Sequence, residues 1–399
     1  MSDQQLRPAI AGGEPIRPPD EAMGYGGQSI TEDDKEAVAE ALGGDYITRG
    51  PTVDGFEERV ADYIGVDHAI AVTSGTAALH LAGRAAGFGS SDEVITTPLT
   101  FASTAHAAVY SGAKPVFADV KPDTRNIDPD AVREQITEDT VGLIPMHYAG
   151  QPCEIDELLV IADEYDLTVI WDACHALGST WHGEPAGSHP DMAIFSFHPV
   201  KNVTTAEGGM VVTDDDNLAK RVRSLRSFEI DYDSPGHEDE PWYQVTEDLG
   251  YNYNFTDLQA ALGLSQMERI ESFKRRRDEI IDRYEVAFTN IEGLLTPTVK
   301  EGVDPMWHLY AVEVVEAFGC DRKRFVNAMH AENIYVQVHY VPLHFHPFFQ
   351  DEFGYERGDY PVAEGVYQGL VSLPLYPEMD NEDVEDVLRA VQRIQQHHT

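Results

Sequence analysis

Four short segments carry residue types that could do chemistry together. "SFHPVKNVTTAEGG" (196–209) holds Ser196, His198 and one lysine, Lys201, in a chain with 8 lysines against 20 arginines and 70 acidic residues. "IWDACHA" (170–176) puts Asp172 at the end of an apolar run, where an unpaired carboxylate would be costly and wants a cationic or protonated partner. "TSGTAA" (73–78) leaves an apolar run and opens a helical one; Ser74, Gly75 and Thr76 are small enough for backbone N–H groups to approach an anion at the helix start. "TTPLTFAS" (96–103) offers the flat face of Phe101. Taken singly, each has an ordinary reading: a surface charge, a helix cap, a strand–helix turn, a core aromatic. Together they make a phosphate cradle, a buried carboxylate, an aromatic face and an amine.

Pyridoxal phosphate needs those four parts. Its phosphate takes N–H and hydroxyl donors, its ring nitrogen a carboxylate, and its aldehyde a lysine amine. Arginine cannot serve as that amine, because its guanidinium stays protonated and delocalised. Other chemistries lack their signatures. There is no GxxxxGK[ST] loop, and no GxGxxG follows the early strands. His339, His344 and His346 stand close together, but without a neighbouring cysteine or an HExxH frame no metal is expected.

Strand-like runs must position these segments. They lie at 68–75, 92–98, 114–120, 141–147, 167–173 and 192–197, with helical spacing at 76–87, 104–112 and 154–166 between them. The alternation predicts an α/β fold, a mainly parallel sheet flanked by helices. Ligands in such sheets bind beyond the carboxyl ends of the strands, which selects the loops 73–76, 97–101, 172–175 and 196–201. Thr31 and Asp34 form a capping-box start for a helix over 29–42. One long helical pattern covers 256–288, and its "KRRR" (274–277) reads as a solvated face paired with acids rather than an anion site. Beyond 290, "HLYAVEVV" and "IYVQVHYVPL" read as strands and 383–396 as a closing helix, a smaller C-terminal α+β unit. The expected division is an N-terminal extension over 1–19, a large domain over 20–270 and a small domain over 271–399.

The chain has 399 residues and a net charge of −42, which argues against nucleic acid or an anionic membrane as partner. Acids spread along the whole length, with scarce lysine, fit a folded protein kept soluble in concentrated salt, that is, a halophilic one. No apolar run is long enough for a membrane helix, and "MSDQQLRPAIAGGEP" has no secretory pattern. Cys153, Cys174 and Cys320 form no CxxC pair and no disulfide framework. A soluble cytoplasmic protein is expected.

Over nearly its whole length the chain resembles the DegT-type sugar-nucleotide aminotransferases, pyridoxal phosphate enzymes of fold type I. The resemblance rests on "TSGTAALHLA", "GAKPVFADVKPDTRNID", "WDACHALGS", "SFHPVKNVTTAEGG", "LGYNYNFTDLQAALGLSQ" and "VHYVPLH", in that order. It implies that Lys201 carries the cofactor, Asp172 meets the ring nitrogen and Phe101 stacks on the ring. Ser74, Gly75, Thr76 and Ser196 would hold the phosphate, and His175 would lie beside the ring. Asn252 would come from the second subunit of a homodimer. "YGGQSITEDD", "HYAGQPC", "HPVKNVTTAEGGM" and "PWYQ" (241–244) resemble the versions found in UDP-4-amino-4,6-dideoxy-N-acetyl-β-L-altrosamine transaminases. By that likeness Tyr25, the segment Ile47, Thr48, Arg49 and Gly50, and the segment Gln337, Val338, His339 and Tyr340 would touch the nucleotide sugar. This chain has Asn254 where the family often has arginine.

The implied reaction moves an amino group from L-glutamate to a 4-keto-6-deoxy nucleotide sugar, for surface glycans. Three alternatives stay open: another C3 or C4 aminotransferase such as a perosamine synthase type, a sugar dehydratase of the same fold, and a catalytically silent regulator. Dehydratase relatives replace the cofactor lysine with histidine, so Lys201 speaks against that reading. A silent relative would have little reason to keep both Lys201 and Asp172.

Overall fold

The computed structural model describes residues 7–231, 240 and 242–398; Pro241, which begins the "PWYQ" segment, and residues 1–6 of the N-terminal extension lie outside them. Seven strands form the central sheet: β1 (His68–Val72), β2 (Glu93–Thr96), β3 (Lys114–Phe117), β4 (Thr140–Ile144), β5 (Thr168–Asp172), β6 (Met192–Ser196) and β7 (Gly209–Thr213). Their order is β1-β7-β6-β5-β4-β2-β3. The pairs β3–β2, β2–β4, β4–β5 and β5–β6 are parallel. Strand β7 runs antiparallel to both β6 and β1. The sequence reading has no strand at "GMVVT", because its glycine is shared with the preceding loop motif.

Both faces of the sheet are buried, which is why its strands read as unbroken apolar runs. The period of two still sorts them. Val169, Trp171, Ala193, Phe195, Met210 and Val212 pack on one side, with Phe56, Val60 and Phe255. Ile170, Ile194 and Val211 pack on the other, with Ala78, Leu81 and Ala82 of helix α1 (Gly75–Ala85) and Ala107 and Ala108 of helix α2 (Ala102–Ser111). Asp172 ends β5 in the same alternation as Ile170, so its carboxylate turns toward α1 and α2 at the sheet's carboxyl edge.

A three-stranded antiparallel sheet follows: β8 (Leu294–Leu295), β9 (Tyr310–Val314) and β10 (Leu370–Leu373), in the order β8-β9-β10. The helix Asn381–His398 closes the chain as expected. The helix Glu32–Leu42 keeps its capping box, with Thr31 N–H donating to Asp34 Oδ2 at 2.7 Å. The N-terminal extension is tied to the C-terminal unit, since the N–H groups of Ala9 and Ile16 both reach the buried Glu332 carboxylate at 2.9 Å.

Three expectations are corrected. The helical pattern over 256–288 is two helices, Asp257–Met267 and Ile270–Phe288, broken where Arg269 leaves the helical region at φ −108° and ψ 0°. Arg269 turns there to Asp34, inside the cluster that anchors helix Glu32–Leu42. Within "KRRR", Lys274 pairs with Asp278 and Asp304, and Arg276 with Glu279, as a solvated face should. Arg277 instead lies on the buried stripe with Phe273, Ile280 and Ile281, 1% exposed, and donates to the carbonyls of Trp307 and Leu375 at 3.1 and 3.0 Å. "IYVQVHYVPL" is not a strand. Only Gln337 pairs with β10, at Ser372, before the chain swings toward the sheet edge and Leu343 N–H caps the Pro98 carbonyl at 2.8 Å. Among the described residues no helix is long and apolar enough to cross a membrane.

Candidate active site

The four loops selected from the strand ends meet around one cavity of about 290 Å³, lined by Ser74, Gly75, Thr76, Phe101, Asp172, His175, Ser196 and Lys201. Tyr25, His339 and Tyr340 close it from the second unit and the N-terminal segment. Asp172 is 2% exposed and has a donor on each oxygen. Thr104 Oγ1, on α2, donates to Oδ2 at 2.6 Å, and Cys174 N–H donates to Oδ1 at 3.1 Å. Thr104 is itself paired with Thr100 Oγ1 at 2.7 Å. A buried carboxylate needs such partners, and these two fix its plane while leaving lone pairs for a third.

The anion cradle is the start of α1. Ser74 caps the helix, its Oγ accepting from Ala77 N–H at 3.1 Å, and Gly75 and Thr76, in the first turn where N–H groups have no partner within the helix, line the cavity. Gly209 explains the double glycine of the lysine motif. A Cβ there would stand 2.3 Å from the Ser74 carbonyl oxygen and 2.6 Å from Gly75 N. Gly209→Ala must therefore push the cradle backbone aside, an overpacking cost of about 1–3 kcal/mol. The expected outcome is a Tm lower by several degrees and a Kd for pyridoxal phosphate raised about tenfold. Thermal melts and cofactor titration check it, and unchanged binding would mean that the cradle is not where the phosphate sits.

Lys201 follows β6 in a tight loop, its N–H donating to the His198 carbonyl at 2.9 Å. Among the described residues its ammonium has no ion-pair partner within 4.0 Å. Burial pushes its pKa down, opposed by Cys174 and Asp172, so the neutral amine is favoured relative to a lysine in water. Buried imidazoles surround it. Burial and the Lys201 charge push His339 down to about 4, and hold His175 and His308 well below the usual histidine range. His175 accepts the Ala149 N–H at Nδ1 (3.3 Å), so its own proton sits on Nε2 and points to Tyr340 Oη at 2.9 Å. Phe101 is 58% exposed although it lines the cavity, an aromatic face open to whatever the cavity holds.

Other expected site residues stand apart. Ile47, Thr48 and Arg49 are exposed; Thr48 Oγ1 and Arg49 N–H reach the Phe255 carbonyl, and Gly50 N–H binds Asp257 Oδ2 at 2.8 Å. Asn252 is exposed, bridged to Ser227, and accepts from Asn254 Nδ2 at 2.9 Å. Gln337 and Val338 are outside the cavity lining. His339 Nδ1 pairs with Ser372 Oγ and His344 Nε2 with Glu364, each at 2.9 Å, and no group of three possible metal ligands occurs among the described residues. Cys174, Glu207, Met146 and His308 line the cavity without having been singled out. Cys174 sits in the quoted "DACHA" and could have been found there; His308 arrives from 133 residues downstream of His175, with no local signal.

The residues fit pyridoxal phosphate: an open cradle, an ordered carboxylate, a free aromatic face and an unpaired lysine in one cavity. The fold and the site define a pyridoxal phosphate-dependent aminotransferase. The chain belongs to the DegT/DnrJ/EryC1/StrS aminotransferase family, whose sequence profile matches residues 28–392. It is 43% identical to the spore coat polysaccharide biosynthesis protein SpsC of Bacillus subtilis, over 92% of this chain and 95% of that protein. Among solved structures it is similar to Helicobacter pylori PseC, an aminotransferase involved in the biosynthesis of pseudoaminic acid, with 30% identity, a TM-score of 0.89, and 94% and 100% of the two chains covered. It is equally similar in shape to the PMP form of the putative sugar aminotransferase Spr1654 of Streptococcus pneumoniae, with 29% identity, a TM-score of 0.89, and 94% and 99% covered. The protein is thus a sugar aminotransferase, and its cofactor is pyridoxal phosphate.

Proposed function

We propose that this enzyme transfers the amino group of L-glutamate to C4 of a 4-keto-6-deoxy nucleotide sugar, with a UDP-linked 2-acetamido-4-keto-6-deoxy-L-altrose (UDP-4-keto-6-deoxy-L-AltNAc) as first candidate, in polysaccharide or surface-glycan biosynthesis. The carrying observation is Lys201, unpaired and biased toward the neutral amine in one cavity with Asp172. When bound, pyridoxal phosphate supplies an electron sink for charge developing on the carbon that loses or gains the amine. Lys201 Nζ is the proton carrier: it takes the proton from the donor's α-carbon, and in the second half-reaction delivers one to the sugar carbon that receives nitrogen. The Asp172 carboxylate keeps a proton on the ring nitrogen. Ser74, Gly75, Thr76 and Ser196 hold the phosphate, Phe101 covers the ring, and His175 orients Tyr340 beside it.

Tyr25, residues 47–50 and residues 337–340 are assigned to the nucleotide sugar, and a homodimer brings Asn252 to the neighbouring site. Exposed apolar side chains near Asn252 support a subunit contact: Phe228 at 46% and Leu249 at 66% exposure. A fully active monomer in sedimentation at assay concentration would remove Asn252 from the site. The net charge of −42 supports a halophilic habit. Screening of that charge should raise the Tm as potassium chloride increases, and a Tm that falls would oppose it.

The deciding experiment incubates the enzyme in high salt with pyridoxal phosphate, L-glutamate and UDP-4-keto-6-deoxy-L-AltNAc, with mass spectrometry and NMR of the sugar. A new amine at C4 is the expected product. An enzyme that loads cofactor but leaves this sugar untouched would sink the substrate choice and turn attention to 3-keto and GDP- or dTDP-linked sugars.

A further inference from the structure

The amino donor and the keto sugar use one cavity in turn and ask different things of it. The donor brings a carboxylate, which only accepts hydrogen bonds; a sugar ring brings hydroxyls, which also give them. Arginine would suit the first alone, having five donors and no acceptor. No arginine is among the described residues that line the cavity. His308, just ahead of β9, is.

His308 is 5% exposed, its backbone N–H is fixed on the Ala149 carbonyl at 2.9 Å, and its ring packs on His175 with centroids 4.3 Å apart. Its Nδ1 is buried with no hydrogen-bond partner, and among the described residues neither ring nitrogen is bonded. Buried polar atoms ordinarily have a partner, from protein, water or ligand, and His308 stands where the cavity could supply one. The contrast with His175 is informative. There the Ala149 N–H fixes the tautomer; among the described residues no bonded partner fixes that of His308, so its ring can present an N–H or a lone pair. Burial, and then the nearby charges of Lys201 and Arg277, keep the ring neutral, the state that has one of each.

We propose that His308 contacts both substrates in turn. It gives an N–H to the donor's carboxylate in the first half-reaction and offers its lone pair to a sugar hydroxyl in the second. The inference rests on the sugar aminotransferase reading above and adds to it a residue that lets one cavity accept two unlike ligands.

Two single-turnover reactions of the full-length enzyme test it, both read by cofactor absorbance. The pyridoxal form is mixed with L-glutamate, and the pyridoxamine form with UDP-4-keto-6-deoxy-L-AltNAc. His308→Phe keeps a flat ring without polar atoms; His308→Gln has an amide that can turn to present N–H or C=O. His308→Phe should slow both half-reactions by about tenfold or more, with cofactor loading unchanged, and His308→Gln should recover most of that loss. A phenylalanine variant at wild-type speed in either half-reaction, one whose only defect is cofactor loading, or a glutamine variant no better than phenylalanine would overturn the inference. A wild-type enzyme inert to both substrates would instead overturn the reading it rests on. If only this sugar fails, GDP- and dTDP-linked keto sugars replace it in the second arm.

Discussion

Lys201→Ala should lose amino transfer by at least about 10³-fold and yet leave the cofactor-free chain no less stable than wild type. The first half follows from the role proposed for the amine, which is to hold the cofactor and carry the proton. Lys201→Arg should fail equally, because a guanidinium keeps its proton and cannot act as base. The second half follows from burial, which lowers the Lys201 pKa. The folded chain then binds fewer protons than the unfolded chain between the lowered value and the ordinary 10.5. Stability of the cofactor-free wild type should therefore rise with pH through that window, as the penalty for a buried ammonium disappears. Lys201→Ala should lack that rise and melt at the same temperature or higher at neutral pH. Thermal melts of both cofactor-free proteins across pH, beside steady-state assays, separate the two claims. More than about 1% residual activity would mean that Lys201 is not the proton carrier.

The site was legible in the sequence wherever its residues belong to a strand end. Ser74, Phe101, Asp172 and Ser196 each follow a short apolar run, and a parallel sheet must gather such ends on one edge. Lys201 was legible by scarcity, since a chain that avoids lysine has a reason to keep one. The geometry from the second unit was not. Tyr340 and His339 sit on a segment whose Val and Tyr content imitates a strand, but its partners are side chains and loop carbonyls, with Tyr148 Oη bonded to the His339 carbonyl. Local pattern cannot register that. Strand β7 was lost for a related reason: Gly209 is chosen for its closeness to Ser74, not for the strand it begins. Arg277 shows the limit of charge runs. Three basic neighbours suggest one solvated face, yet the 3.6-residue period turns the fourth member of "KRRR" inward. His308 is a lone histidine before a strand, and only the fold shows that it stands against His175.

Asp172→Asn should lower the rate of the donor half-reaction by about 10²–10³-fold, the scale of losing one preorganised electrostatic partner, while the surrounding structure stays in place. Asparagine has the same shape, so its carbonyl can still accept from Cys174 N–H and its amide can donate to Thr104 Oγ1, which keeps Thr100 as a further partner. What it cannot do is hold a positive charge opposite. Without that charge the ring nitrogen is not kept protonated, and the electron sink weakens where the α-proton leaves. Thr104→Val is the informative comparison. It removes a donor and leaves the carboxylate charged, so it should cost far less, about tenfold or under. If the two variants are equally impaired, the role of Asp172 is to be positioned rather than to be charged. If Asp172→Asn is silent, Asp172 is not the partner of the ring nitrogen. Stopped-flow absorbance of the cofactor with L-glutamate distinguishes these outcomes, since it reads the half-reaction without any sugar substrate.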